Sequence, residues 1–228
     1  MSTFAYLHGF ASGPGSRKAV AFASSFGALG IEVAVPSLDE GNFRDFTLSR
    51  ARAVVDRMLA AAARPTVLFG SSMGGYLALL HAASHPVDAL VLMAPAVDFE
   101  RRWRTRLTPD ELAAWVRDGE RLFFHYGAKR PLPLAAGFLD DLAAHDPWPR
   151  TDVPTLVIQG LRDDVVQPET TRRWVRENPS ALLVELDADH ELGDVVPALL
   201  EHARRFLASV PAVARAVPAP AVDTSGRL

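Results

Sequence analysis

The 228-residue chain is predicted to fold as an α/β protein, with a mainly parallel sheet flanked by helices. Short apolar runs rich in β-branched residues recur along the chain, and most are separated by stretches with helical spacing. The runs are almost continuously apolar, which indicates strands that are covered on both faces. The predicted strands span residues 3–7, 31–35, 65–69, 89–93, 155–159 and 181–186.

One interval, between the fourth and fifth predicted strands, is too long for a single crossover helix. It predicts an inserted subdomain over about 99–150, which is expected to be a helical lid. The residues Thr-Pro-Asp-Glu at 108–111 have capping-box spacing, with proline at the first helical position. They predict a helix that carries apolar side chains through residue 123, and a second short helix is predicted over 138–144.

The two ends of the chain carry further expectations. No residues precede Thr3 to form additional strands, so the sheet is expected to be reduced at its N-terminal edge. Residues 194–209 are predicted to form the last helix of a domain that covers residues 1–210. Beyond it, residues 211–228 are rich in proline and alanine, which predicts a flexible, extended tail.

Composition excludes several classes of function. The net charge of −3 does not favour nucleic-acid binding. The absence of cysteine excludes disulfides, zinc–thiolate sites, iron–sulfur clusters and thiol nucleophiles. The sequence shows no signal peptide and no apolar run that approaches the roughly 20 residues of a membrane span. We therefore expect a cytoplasmic protein with a small-molecule substrate and no cofactor.

The sharpest motif is Gly70-Ser71-Ser72-Met73-Gly74-Gly75, a match to G-x-S-x-G. It lies directly after a predicted strand and directly before a predicted helix, which is the context that gives this motif its meaning. A serine on so tight a turn needs glycine two residues away on each side, because a side chain there would collide. The motif predicts that the hydroxyl of Ser72 is exposed in a cleft.

A serine hydroxyl needs a base and a group that orients the base. Asp163 and Asp164 follow the fifth predicted strand, and His190 follows the sixth. In parallel sheets these strand ends lie along one edge, where ligands bind. The order serine, aspartate, histidine is that of the α/β-hydrolase triad. Ser72, one of the two aspartates and His190 are therefore the predicted catalytic residues.

The same chemistry needs backbone N–H groups that stabilise an oxyanion. Met73 follows the serine and supplies one donor, and Phe10 is predicted to supply the second from the loop after the first strand. Other residues are expected to line the substrate pocket, where apolar and aromatic side chains predominate. These predicted pocket residues are His8, Gly9, Trp103 and Trp115.

At these motifs the chain resembles the α/β-hydrolase superfamily. The resemblance runs from Thr3 to about residue 210. It rests on Tyr-Leu-His-Gly-Phe at 6–10, the serine motif at 70–75, Gly-Leu-Arg-Asp-Asp at 160–164 and Asp-His at 189–190. Within the superfamily, the chain is similar to small bacterial esterases of the YqiA type and to ABHD-type acyl esterases and thioesterases.

The resemblance separates the two adjacent acids. It places the acid of the triad at the third residue after a glycine, which is Asp163. Asp164 is then expected to interact with the local backbone or solvent. The resemblance implies a serine carboxylesterase that acts on small or medium acyl groups through an acyl-enzyme. Thioester hydrolysis, peptide hydrolysis and a non-catalytic binding protein are the alternatives.

Two other patterns contain residue types that can bind ligands. His81 and His85 have metal-ligand spacing on a predicted helix, but no third ligand is suggested, and no metal site is predicted. The arginine-rich run at 101–106 opens the insertion. It predicts a solvated lid surface, or alternatively an arginine that pairs with a substrate carboxylate.

Overall fold

The structure, a computed structural model that describes residues 2–218, is built on a six-stranded sheet. Its strands are β1 (Thr3–Leu7), β2 (Val33–Ala34), β3 (Thr66–Ser71), β4 (Ala89–Met93), β7 (Thr155–Gly160) and β8 (Ala181–Leu186). Every neighbouring pair of strands is parallel, and the spatial order of the strands is β2-β1-β3-β4-β7-β8. The fold-class prediction is confirmed.

Helices cover both faces of the sheet and bury one apolar cluster on each side. Helices α1 (Arg17–Gly27) and α8 (Val196–Ser209) cover one face, where Phe22, Phe26 and Phe206 are buried. The other face is covered by α2 (Leu48–Leu59), α3 (Met73–Ala82) and α7 (Pro168–Arg176). Strands β3 and β4 are buried along their whole length, as the apolar runs predicted.

Local sequence signals fix where several helices begin. The side chain of Ser16 accepts a hydrogen bond from the N–H of Ala19 at the start of α1. Thr47 accepts one from Arg50 at the start of α2, at 3.1 Å. Each hydroxyl satisfies a backbone donor that the first helical turn leaves unpaired. These caps also set where the loops at the carboxyl edge of the sheet end.

The insertion contains a β-hairpin in addition to helices. Helices α4 (Phe99–Arg106), α5 (Pro109–Asp118) and α6 (Gly137–Leu142) enclose the antiparallel strands β5 (Glu120–His125) and β6 (Arg130–Ala135). The predicted capping box at Thr108 is present. The prediction that this helix continues through Phe123 is wrong, because Gly119 adopts φ 77° and ends α5. An all-helical lid is therefore corrected to a mixed α/β insertion.

The chain after α8 packs against the domain over its described part. Residues 211–217 form turns in which Val213 and Val217 are fully buried. The flexible-tail prediction is wrong for these residues, because Val213 and Val217 pack into the apolar cluster that also contains side chains of α8. The rest of the predicted tail, 219–228, lies outside the described residues. Within residues 2–218, no helix combines the length and apolar character needed to cross a bilayer.

Candidate active site

Ser72 lies on a sharp turn between β3 and α3. Its backbone has φ 54° and ψ −118°, a conformation that residues with a side chain rarely adopt. Two hydrogen bonds hold the turn in place. The Ser72 N–H donates to the carbonyl of Met93 at 2.9 Å, and the Ser72 carbonyl accepts from the N–H of Ala96 at 3.1 Å. Strand β4 and the loop after it thus fix the position of a serine in a strained conformation.

Glycines make the turn possible, as the motif predicted. A Cβ atom at Gly70 would lie 2.6 Å from the carbonyl oxygen of Gly74. A Cβ atom at Gly74 would collide with the carbonyl oxygen of Leu7 in β1. The first glycine lets α3 fold back over β3, and the second lets α3 approach β1. The glycine requirement is therefore steric at both flanks of Ser72.

His190 connects Ser72 to Asp163. Its Nε2 atom lies 3.1 Å from the Ser72 Oγ atom, and its Nδ1 atom lies 2.8 Å from the Asp163 Oδ2 atom. The three residues come from the loops after β3, β7 and β8, at one edge of the sheet. The structure thus brings together the three side chains that the sequence singled out. The arrangement lets a proton pass from the serine hydroxyl to the imidazole.

Asp163 is nearly buried, with 3% of its surface exposed. Its Oδ1 atom accepts hydrogen bonds from the N–H groups of Val165 and Val166, at 2.9 and 2.7 Å. Burial alone would raise the pKa of this carboxyl, but the bond and charge of His190 and the Val166 N–H outweigh it and lower the pKa. A charged carboxylate therefore faces the imidazole.

Gln159 is a supporting residue that the sequence analysis missed. Its side-chain amide donates to the Asp163 Oδ2 atom at 2.9 Å, and its amide oxygen accepts from the Thr171 hydroxyl at 2.7 Å. Gln159 is fully buried near the end of β7. The available signal was a polar amide near the end of a largely apolar strand, four positions before the aspartate. Gln159 holds the carboxylate in the orientation that His190 meets.

Asp164 points away from this network. It is exposed and lines the cavity in front of Ser72, whereas the neighbouring Asp163 is buried. The turn after Gly160 thus directs two adjacent carboxyls to different environments. Only the carboxyl of Asp163 contacts His190.

Two backbone N–H groups near Ser72 have no hydrogen-bond partner in the described part of the chain. Within residues 2–218, neither the N–H of Phe10 nor that of Met73 donates a hydrogen bond. Met73 is the first residue of α3, where backbone donors lack intrahelical partners. Gly9 precedes Phe10, and a Cβ atom on it would lie 3.6 Å from the Cβ of Ser72, so this loop passes close to the serine.

A cavity of about 1570 Å³ opens above Ser72 and His190. Gly9, Phe10 and Trp103 line it. Its apolar wall is aromatic, because the ring of Phe10 packs edge-on against Trp103 at a centroid distance of 5.0 Å. The ring of Phe123, in the insertion hairpin, packs edge-on against the ring of Phe10 at a centroid distance of 5.9 Å. The insertion therefore supplies much of the wall.

Two of the predicted pocket residues lie elsewhere. Trp115 is 1% exposed and donates its indole N–H to the carbonyl of Leu134, inside the insertion. The capping box fixes α5 so that this face packs inward behind Trp103. His8 is also buried, and its Nε2 atom accepts from the Leu38 N–H at 3.3 Å. Burial lowers the pKa of His8, so the neutral ring supports the loop after β1.

The arginines of the run at 101–106 have different environments. Arg101 and Arg104 form ion pairs with Asp98 and Glu100. Arg102 donates to the carbonyl oxygens of Val97 and Val165, which ties the insertion to the loop that carries Asp163. Arg106 is exposed and lines the cavity.

A second cluster of titratable side chains lies away from the cavity. The Nδ1 atom of buried His81 lies 2.7 Å from Asp56, and the rings of His81 and His85 stack at 4.4 Å. Asp56 is the third potential ligand that the sequence did not suggest, so these three side chains could hold a metal ion. The hydrogen bond and the stacking also explain the cluster without an ion.

The sheet order, the serine turn and the histidine loop define an α/β-hydrolase fold. Solved structures agree on the fold. Mouse alpha/beta hydrolase domain-containing protein 10 has a TM-score of 0.74 at 21% identity, covering 88% of this chain and 87% of its own. Est1E from Butyrivibrio proteoclasticus with bound ferulic acid has 0.74 at 18%, covering 92% and 90%. The esterase domain of a Rhodothermus marinus protein has 0.60 at 22%, covering 89% and 84%.

The chain belongs to UPF0227, an uncharacterised protein family whose profile matches residues 3–207. The match covers the sheet, the insertion and nearly all of α8. No protein in a search of curated proteins matched the chain. The predicted resemblance to α/β hydrolases is confirmed.

Proposed function

We propose that this protein is a serine hydrolase that cleaves carboxylic esters of small or medium acyl groups. The observation that carries the proposal is the hydrogen-bonded chain from Ser72 through His190 to Asp163. The strained serine turn and the two free N–H groups beside it support the same reaction. No cofactor takes part in the proposed mechanism.

In the first half of the reaction, the Ser72 Oγ atom attacks the acyl carbon while His190 Nε2 takes the hydroxyl proton. Asp163 holds the opposite imidazole nitrogen in its protonated form and stabilises the imidazolium. The N–H groups of Phe10 and Met73 donate to the oxyanion of the tetrahedral intermediate. His190 then returns the proton to the leaving alcohol, and an acyl-enzyme remains.

In the second half, water takes the place of the alcohol. His190 removes a proton from the water, which attacks the acyl carbon of the ester on Ser72. The second tetrahedral intermediate collapses, the proton returns to Ser72 Oγ, and the carboxylic acid leaves. The sum of the two halves is ester plus water giving acid plus alcohol.

The cavity suits acyl groups that are apolar. Its wall beside Ser72 contains Phe10, Trp103 and Phe123, which offer an apolar surface to an alkyl or aryl acyl group. Aryl acyl esters belong among the test substrates because Est1E holds ferulic acid in its structure.

The test is a panel of nitrophenyl esters from acetyl to palmitoyl, one feruloyl ester and matched thioesters, assayed with the wild type and with Ser72→Ala. We expect the wild type to turn over short and medium oxygen esters best, and Ser72→Ala to lose that activity. Preference for thioesters would replace the ester assignment with the thioesterase alternative. Undiminished activity of Ser72→Ala would remove the serine mechanism altogether.

A further inference from the structure

The basic side chains that lack an acidic partner are concentrated at the cavity. Fourteen arginines lie within 4.0 Å of a carboxylate. In the described part of the chain, nine arginines and lysines have no carboxylate within 4.0 Å, and six of these nine line the cavity. Most arginines are therefore ion-paired, whereas most of the arginines and lysines that line the cavity are not.

Two of the six have backbone partners and four are free. Lys18 donates to the carbonyl of Glu191 at 2.7 Å, and Arg102 is bound as described above. The four others are exposed, and their side chains make neither an ion pair nor a hydrogen bond within residues 2–218. We call these four residues the cationic rim: Arg17, Arg106, Lys129 and Arg130.

The charge of the cavity lining is opposite to that of the whole protein. Seven arginines and lysines line it against three acids, although the chain carries a net charge of −3. One of the acids, Asp39, already has partners in the Ser37 hydroxyl and the Gly41 N–H. Clefts lined by one sign of charge concentrate ligands of the opposite sign.

The cationic rim comes from three separate elements that meet at the cavity. Arg17 begins α1, Arg106 ends α4, and Lys129 and Arg130 lie where the insertion hairpin turns into β6. The aromatic wall is partly buried, whereas the rim is exposed. The cavity thus offers an apolar surface near Ser72 and cations at its opening.

We propose that the ester substrate carries a phosphate or carboxylate outside the cleaved bond, and that the cationic rim binds this anion. The inference rests on the proposed ester hydrolysis and narrows its substrate class. Arginine and lysine donors match both anions, and unpaired cations can bind them without first breaking an ion pair.

The experiment compares kcat/KM for pairs of esters that differ in one anionic group. The carboxylate arm sets the mono-nitrophenyl ester of glutaric acid against nitrophenyl pentanoate. The phosphate arm sets 4-(butyryloxy)phenyl phosphate against 4-(butyryloxy)anisole. We expect the anionic member to be preferred at least tenfold in one arm at low ionic strength. The preference should fall in 0.5 M salt, because exposed charges are screened.

Two triple variants remove the same net charge from different places. Arg106→Gln/Lys129→Gln/Arg130→Gln should reduce the preference about tenfold, at roughly two- to threefold per exposed charge. The control, Arg57→Gln/Arg104→Gln/Arg117→Gln, changes exposed arginines that are ion-paired and do not line the cavity. It should keep the preference.

The outcomes separate this inference from the proposed function. If the neutral esters are cleaved through Ser72 and neither arm shows a preference, the anion-binding inference is wrong and the hydrolase assignment stands. Equal losses in the two triple variants would also overturn it, since overall charge and not the rim would then explain the preference. Failure to cleave any ester contradicts the proposed function itself.

Discussion

The Nε2 atom of His190 lies 3.1 Å from the Oγ atom of Ser72, although the two residues are 118 positions apart in the sequence. No local turn of the chain brings these two side chains together. Ser72 projects from the end of β3 and His190 from the loop after β8, and the parallel sheet brings both loops to one edge. The fold, rather than sequence proximity, assembles the site.

The two adjacent aspartates should differ sharply in their effect on turnover. Asp163→Asn should lower kcat by roughly 10³- to 10⁴-fold, because an amide in this position permits the wrong imidazole tautomer. Asp164→Asn should lower kcat by less than about tenfold, since its exposed carboxyl does not touch His190. Steady-state kinetics at pH 8 measures both. The reverse order would assign the acid to Asp164.

Replacement of Gly74 should damage both the fold and the site. In Gly74→Ala the new methyl group meets the carbonyl of Leu7, so we expect a loss of at least about 2 kcal/mol in the free energy of unfolding. Gly27→Ala is the control, because nothing lies within 4 Å of its added Cβ and the helix should gain roughly 0.5 kcal/mol. Urea unfolding followed by circular dichroism compares the two variants. Equal stabilities would contradict the steric account.

The loss of the hydroxyl group should affect stability differently at two buried tyrosines. The Tyr6 hydroxyl is buried and has no close hydrogen-bond partner in the described part of the chain beyond a weak contact with Ser71, so Tyr6→Phe should leave stability unchanged or raise it by up to about 1 kcal/mol. The Tyr76 hydroxyl donates to the carbonyl of Asp146 at 2.6 Å, so Tyr76→Phe should lose about 1 kcal/mol. Thermal unfolding ranks them. A larger loss in Tyr6→Phe would show that its hydroxyl is bound.

Asp88 should make stability depend on pH in the acid range. Burial alone would raise the pKa of its carboxyl, but the bonds from Arg64 and from the Thr66 N–H outweigh it and lower the pKa. A lowered folded-state pKa stabilises the protein above the unfolded value near 3.9, and the stabilisation is lost as pH falls through the folded value.

The corresponding measurement compares Asp88→Asn with the wild type by urea unfolding. The variant should be roughly 1 to 3 kcal/mol less stable at pH 7, and this difference should shrink below about pH 4. Asp118→Asn is the control, since this carboxyl is exposed beside Arg117 and should change stability little. A difference for Asp88→Asn that is constant from pH 7 to pH 3 would contradict the assignment.

The sheet was predictable because its strands are buried on both faces and each reads as an apolar run. Strand β2 shows the limit, since five residues were predicted and only Val33–Ala34 pair with β1 at the sheet edge. The serine turn was predictable because steric crowding forces glycine into both flanks. The choice between Asp163 and Asp164 needed the resemblance, because both follow the same strand end.

The insertion was the least predictable part of the chain. Leu122 and Phe123 continue the apolar spacing of the preceding helix, so the sequence alone favoured a helix there. The pairing of residues 120–125 with 130–135 depends on the turn between them. Trp115 and Trp103 both looked suited to a pocket, but only the packing of α5 decides which ring faces the cavity. Gln159 was missed because its role depends on contacts made after the strands assemble.

Labelling by a fluorophosphonate probe, with the site read by peptide mass spectrometry, tests the serine mechanism most directly. The wild type should be labelled once, on Ser72, and Ser72→Ala should show neither labelling nor esterase activity. Ser71 is the internal control, because it is adjacent but buried and not bound to His190. Labelling on Ser71, or no labelling of the folded wild type, would contradict the account.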